Sequence, residues 1–116
     1  MRYLLLLHGD AAAEAALSPA ERRAVIDAHI AFSRGLREAG RLVVGEGLQP
    51  PDRAKRVTWA EDGARIVTDG PFAEAKEAIG GFYLLDCGSI EEAVGIADGV
   101  PRSPGLAVEI IPVEEV

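Results

Sequence analysis

The sequence is poor in most of the features that announce a function. Cys87 is the one cysteine. No internal disulfide can form, and a reducing compartment is the natural setting. Only two histidines are present, and His8, His29 and Cys87 lack the spacing of a structural zinc site. Aromatic residues make up 5% of the chain, too scattered for a surface on which bases stack. Basic residues are also scarce, 12 against 19 acidic, for a formal charge of −7. That sign opposes binding to nucleic acid or to an anionic membrane surface. Long hydrophobic runs are missing. The four leucines of "MRYLLLLHGD" fall short of the roughly 7–15 residues of a secretory h-region and far short of a membrane span. A cytoplasmic protein is expected, with neither nucleic acid nor membrane as partner. "GEGLQP" opens no helix, so it is not a phosphate-binding loop, and no Rossmann fingerprint occurs. No metal or cofactor is expected.

What is present is orderly. The 116 residues suit one domain spanning 1–116, and the 48% apolar content is that of a globular core. Residues 2–8 read as a buried strand, followed by "AAAEAA" as a loose helical connection. Ser18, Pro19 and Glu21 form a capping box that opens a helix running to about Ala39, where Gly40 stops it. "RLVVGEGLQPP" reads as a strand with a proline-stiffened exit. "KRVTWA" and "RIVTD" flank Asp62-Gly63 as a hairpin. "PFAEAKEAI" reads as a short helix opened by Pro71 and ended by Gly80-Gly81. "GFYLLDC" is a strand, Ser89 and Glu92 form a second capping box for a helix to about Asp98, and "LAVEIIPV" closes the chain as a strand.

Without the inserted hairpin and short helix the order is βαββαβ. That predicts a ferredoxin-like α+β fold: an antiparallel sheet with both main helices on one face. "YLLLL", "LVV", "FYLL" and "LAVEII" are apolar on both sheet faces, against the alternation of a half-solvated sheet. A second copy packed sheet to sheet is therefore expected.

Candidate chemistry centres on His29. At about 100° per residue it shares a stripe with Val25, Phe32 and Leu36, so it should point at the sheet. A half-buried imidazole is a ready general acid or base; a core histidine with a satisfied hydrogen bond is the other reading. Asp69, at a strand end before Gly-Pro, can orient a histidine or take a proton, or simply cap its own turn. Gly45 and Gly47 bracket Glu46, which suggests either a bulge or close backbone approach that aims Glu46 into a cleft, or an edge irregularity before Pro50-Pro51. Phe72 and Lys76, with Glu46, are the expected substrate contacts. Cys87 is expected to pack rather than react.

"YLLLLHGD", "AGRLVVGEGLQPP", "VTDGPFAEAKEAIGGFYLLD" and "VEIIPV" together resemble the DGPF-domain branch of the YCII-related family, in order and over nearly the whole chain. The resemblance implies a dimeric α+β barrel, related in fold to small cofactor-independent isomerases, lyases and monooxygenases. It also brings in proteins that resemble partners encoded beside extracytoplasmic-function sigma factors, so a non-catalytic ligand-binding or regulatory module stands beside the enzyme reading. A helix-borne histidine and an aspartate are the implied active-site pair. His29 in "DAHIAF" matches the histidine, and Asp69 or Glu38 is the matching acid. Where relatives carry an arginine before the final proline, this chain has Ile111. The implied chemistry is elimination or isomerisation of a small organic acid.

Overall fold

The computed structural model describes residues 1–70 and 78–116. Its elements are β1 (Arg2–Gly9), α1 (Ala11–Ala15), α2 (Pro19–Glu38), β2 (Leu42–Gly47), β3 (Lys55–Trp59), β4 (Arg65–Asp69), β5 (Ala78–Asp86), α3 (Ile90–Ala97) and β6 (Ala107–Pro112). A four-stranded antiparallel sheet has the order β2-β5-β1-β6, and β3 and β4 form a separate two-stranded sheet. The fold is thus mixed α+β.

Local chemistry accounts for the element ends. Asp10 caps α1 by accepting from the Ala13 amide. At α2 the Ser18 hydroxyl accepts from the Glu21 amide while the Glu21 carboxylate accepts from the Ser18 amide. Two otherwise unpaired donors are satisfied at once. That bond also holds the Glu21 carboxyl below the usual range. The other end of α2 is a Schellman turn. Gly40 takes φ +73°, the Gly40 amide donates to the Arg37 carbonyl, and the Arg41 amide donates to Leu36. Only glycine adopts that conformation without strain.

The second capping box closes only by half. Ser89 accepts from the Glu92 amide, but the Glu92 carboxylate accepts from the Gly88 amide and pairs with Arg41 at 2.9 Å. A guanidinium on the other side draws it away from the reciprocal bond.

The core lies between the helices and one sheet face. Tyr3, Leu5 and Leu7 of β1, Tyr83 and Leu85 of β5, Leu36 of α2, and Ala93 and Val100 near α3 form one buried cluster, joined by Cys87. Leu5 and Leu85 are fully covered, which stabilises by about 1.5–3 kcal/mol each. Cys87 belongs to this core, and burial, then the nearby Glu92, pushes its thiol up, away from the reactive thiolate.

Strand alternation sends Leu4 and Leu6 of β1 and Phe82 and Leu84 of β5 to the opposite face, where all are half-buried. Val44 and Ile111 share that face by register and are exposed. The expected two-sided apolar sheet is present, and the core joins α2 and α3 to the opposite face.

Two expectations need correction. Of the helix read into 71–79, residues 71–77 lie outside the described residues, and Ala78 and Ile79 are strand. Gly80 and Gly81 therefore end no helix. The β1–β5 register jumps between Leu7 and His8, which makes Gly80 the extra residue of a bulge. Gly81 lets β2 approach: a Cβ there would stand 2.8 Å from the Glu46 carbonyl oxygen. A glycine pair in one dimension looks like a stop, and here it is a strand fitting closely against its neighbour.

The hairpin forms as read. A turn closes from the Ala60 carbonyl to the Gly63 amide, Gly63 takes φ +87°, and Ala60 and Ala64 pair. Every residue of β3 and β4 is exposed. The radius of gyration is 16.2 Å, against about 13 Å for a compact chain of this length, as a projecting arm requires.

The two sheet faces should be separable by mutation. Leu5→Ala should lower unfolding stability by about 2–5 kcal/mol in urea titration. Leu6→Ala should cost well under that amount when the protein is dilute.

Candidate functional site

The inward stripe of α2 is laid down as its spacing requires. Val25, His29 and Phe32 are half-buried and Leu36 is buried. Ser33 stands one turn beyond His29, so both side chains reach the same spot. That spot is Tyr83, rising from β5. His29 Nδ1 lies 2.6 Å from the Tyr83 hydroxyl. The two rings stack at 6.0 Å, 19° from parallel, and Phe32 meets Tyr83 edge-on at 5.3 Å.

Gly45 makes this possible. It sits opposite Tyr83 in the β2–β5 register, and a Cβ there would fall 2.6 Å from the ring. The close approach expected around Glu46 therefore occurs at Gly45, and it serves the phenol rather than the carboxylate.

The electrostatics are those of a neutral pair. Burial lowers the His29 pKa from its ordinary 6.5. Burial raises that of Tyr83, and a hydrogen bond with Ser33 offsets part of the rise. At neutral pH the imidazole is uncharged and the phenol protonated. Such a pair has two tautomers. With Tyr83 donating to Nδ1, the imidazole proton sits on Nε2. With Nδ1–H donating to the phenol oxygen, Nε2 keeps its lone pair. Rotation of the Tyr83 and Ser33 hydroxyls serves either. Nε2 has no partner among the described residues, so one ring nitrogen can give or take a proton.

His29 and Tyr83 line a cavity of about 650 Å³ between α2 and one end of the sheet, within the usual range for small-molecule sites. Val25, Ile26, Ile30, Leu17 and Leu48 supply apolar wall. Arg22 and Arg37 also line it, and neither has a carboxylate partner among the described residues. Glu14 and Glu46 are the lining carboxylates.

The other expected site residues are distributed as follows. Asp69 ends β4, is exposed, and pairs with Lys55 across the hairpin. Glu38 is the exposed last residue of α2. Among the described residues neither lines the cavity. Glu46 does, but its register partner is Phe82, which places it on the sheet face away from Tyr83. Phe72 and Lys76 lie outside the described residues. Ile111 is opposite Leu4, so an arginine in its place would stand on the open sheet face and not beside His29. Among the described residues no three His, Cys, Asp or Glu converge to hold a metal ion, and no helix is long and apolar enough to cross a membrane.

Tyr83, Ser33, Arg22 and Arg37 were not legible as site residues. Ser33 and Arg37 had a usable signal, since they follow His29 by one and two helical turns. Tyr83 had a weaker one: a glycine inside β2 implies a bulky neighbour, without saying which.

Over residues 1–116 the chain matches the family model described as the YCII-related domain. An uncharacterized protein of Rhizobium meliloti (strain 1021) is 39% identical over 97 residues, covering 84% of this chain and 77% of that protein.

The lowered His29 pKa has a consequence for stability. The unfolded chain takes up a proton more readily than the folded one, so stability should fall as pH drops below 6.5 and level off below the folded value. Denaturant titrations across this range should show the slope in the wild type and a flatter profile in His29→Gln. Gly45→Ala, which crowds the Tyr83 ring, should cost about 1–3 kcal/mol and move the His29 ring resonances in NMR.

Proposed function

We propose that this chain, which belongs to the YCII-related family, carries out cofactor-independent proton transfer on a small organic acid, with His29 as the acid–base group. The observation that carries this reading is the 2.6 Å contact between His29 and Tyr83 at the wall of an open cavity. A neutral imidazole with one nitrogen engaged and the other unpartnered is poised for general acid–base work near neutral pH. The partner implied by the resemblance was a carboxylate, and Asp69 is instead engaged with Lys55. Tyr83 takes the orienting role in this proposal.

The step is balanced without a cofactor. A substrate carboxylate sits against Arg22 or Arg37, whose guanidinium draws electron density from the acid. Nε2 takes the proton from the carbon next to the carboxylate, while Nδ1–H donates to the phenol oxygen and stabilises the imidazolium. Return of that proton to a different carbon completes an isomerisation. Return of it to a departing group completes an elimination.

The scaffold reading is ferredoxin-like, supported by the strand order β2-β5-β1-β6 with α2 and α3 contributing to one core. The run from Thr68 to Glu77 supports the DGPF branch. The apolar open face supports a homodimer through the sheet, since a second copy is the simplest cover for it.

The test is hydrogen exchange in D2O, followed by NMR, over a panel of small unsaturated and cyclic carboxylic acids and their methyl esters. Exchange next to the carboxylate is expected for at least one acid and not for its ester, with loss of 10²-fold or more in His29→Gln and a raised KM in Arg37→Gln. No exchange with any acid, or exchange undiminished in His29→Gln, would overturn the catalytic reading.

A further inference from the structure

We propose that Ser33 is a positioning residue that acts through Tyr83 and leaves His29 the bare Nε2 that a base needs. This rests on the acid–base reading of His29 above and adds to it a residue whose role does not require contact with the substrate.

The three polar groups form a short chain. Among the described residues the Tyr83 hydroxyl has two polar partners, His29 Nδ1 at 2.6 Å and Ser33. Ser33 follows His29 by four residues on α2, so the two side chains stand one above the other on one face. Tyr83 meets both from β5, and all three residues line the same cavity. Tyr83 is 5% exposed, so a hydroxyl hydrogen turned back into the core finds no acceptor and is costly to bury.

Counting hydrogens leaves two arrangements. The neutral imidazole, the phenol and the serine supply one each, and the two contacts use two of the three. In the first arrangement Ser33 donates to the phenol oxygen and Tyr83 donates to Nδ1. The imidazole proton is then on Nε2, and His29 meets the cavity as a donor. In the second, Nδ1–H donates to the phenol oxygen and Tyr83 donates to the Ser33 oxygen. Nε2 is then bare. The Ser33 hydrogen turns to the carbonyl one turn back, a bond that helical serines make, or to the cavity. Proton abstraction needs the second arrangement.

Ser33 is what makes that arrangement available. Once Nδ1–H occupies the phenol oxygen, the Tyr83 hydrogen needs another acceptor. Among the described residues Ser33 is the one that meets it. Without the serine oxygen, the Tyr83 hydrogen is satisfied by pointing at Nδ1, which is the first arrangement. An alanine at position 33 therefore holds the proton on Nε2, although it removes no atom of the histidine. Leaving a buried donor unpaired is unfavourable enough to bias the two tautomers by about tenfold or more.

Two-bond proton–nitrogen correlation spectra of the imidazole ring read the proton's place directly, because a protonated ring nitrogen and a bare one resonate far apart. The full chain is labelled with heavy nitrogen and measured without ligand at a pH where His29 is uncharged. Loss of signals in His29→Gln assigns them. In the wild type the Nε2 resonance is expected well toward the bare position. Ser33→Ala should raise the ratio of Nε2–H to Nδ1–H about tenfold or more, and Ser33→Thr, which keeps the hydroxyl, should restore the wild-type spectrum. Ser33→Cys, a weaker acceptor, should fall between them and takes the place of the alanine variant if that one does not fold. For any acid that exchanges in the test above, Ser33→Ala should lower kcat about tenfold with KM little changed. A fully protonated Nε2 in the wild type, or a ratio that alanine leaves unmoved, overturns the inference. So does a raised KM with an unmoved spectrum, which would make Ser33 a substrate contact. The spectra involve no substrate, so a shifted ratio with no acid exchanged overturns the catalytic reading and leaves the role of Ser33 standing.

Discussion

The position of one ring organises this molecule. Tyr83 lies in the third strand of the sheet's chain order, presses on Gly45 across the ladder, takes Phe32 on its edge and meets His29 and Ser33 with its hydroxyl. Three separate parts of the chain are thereby tied to one residue. The apolar body of the ring belongs to the core, where it is 5% exposed. The hydroxyl sits where the core gives way to the cavity, and buried phenols need a partner there. A histidine supplies it, at the cost of losing its own hydration. Packing and chemistry are therefore not separable at this site: the packing that fills the space between α2 and β5 engages His29 Nδ1 with Tyr83 and, by burying the imidazole, lowers the pKa of the candidate base.

A second constraint follows from how the described elements are layered. The core joins α2 and α3 to one face of four strands, and the strands are apolar on both. Exposed hydrophobic surface of that kind is what the homodimer proposal rests on. The hairpin repeats the pattern on a smaller scale, with large apolar side chains on a ribbon too thin to bury them. Both surfaces have the same cause: the described elements carry apolar strand side chains that they do not themselves enclose.

Local signals were legible in the sequence and reappear in the fold. The Ser18–Glu21 box, Gly40 at a positive φ, the Asp62-Gly63 turn and the Val25–His29–Phe32–Leu36 stripe all depend on neighbours within a turn or two of chain. The failures share a different trait. Gly80 and Gly81 read as a helix stop because glycine allows several conformations, and only the approach of β2 selects the extended one. Glu92 reads as the second half of a capping box, and Arg41, half the chain away, diverts it. Asp69 is a different case: along the chain it reads either as a partner for His29 or as the cap of its own turn, and in the ladder it pairs with Lys55.

By itself the sequence determined the periodicities, the turns and the inward direction of His29, because these rest on steric preferences and hydrogen bonds between residues close in the chain. It also determined that the sheet would be apolar on both faces, since alternation is a property of strands alone. Only the tertiary structure decided which group His29 meets. Tyr83 is 54 residues away, and its arrival depends on strand register, on an absent Cβ at Gly45 and on the packing of Phe32. Register and close packing are properties of the assembled chain, so the identity of the pair could not be read along it.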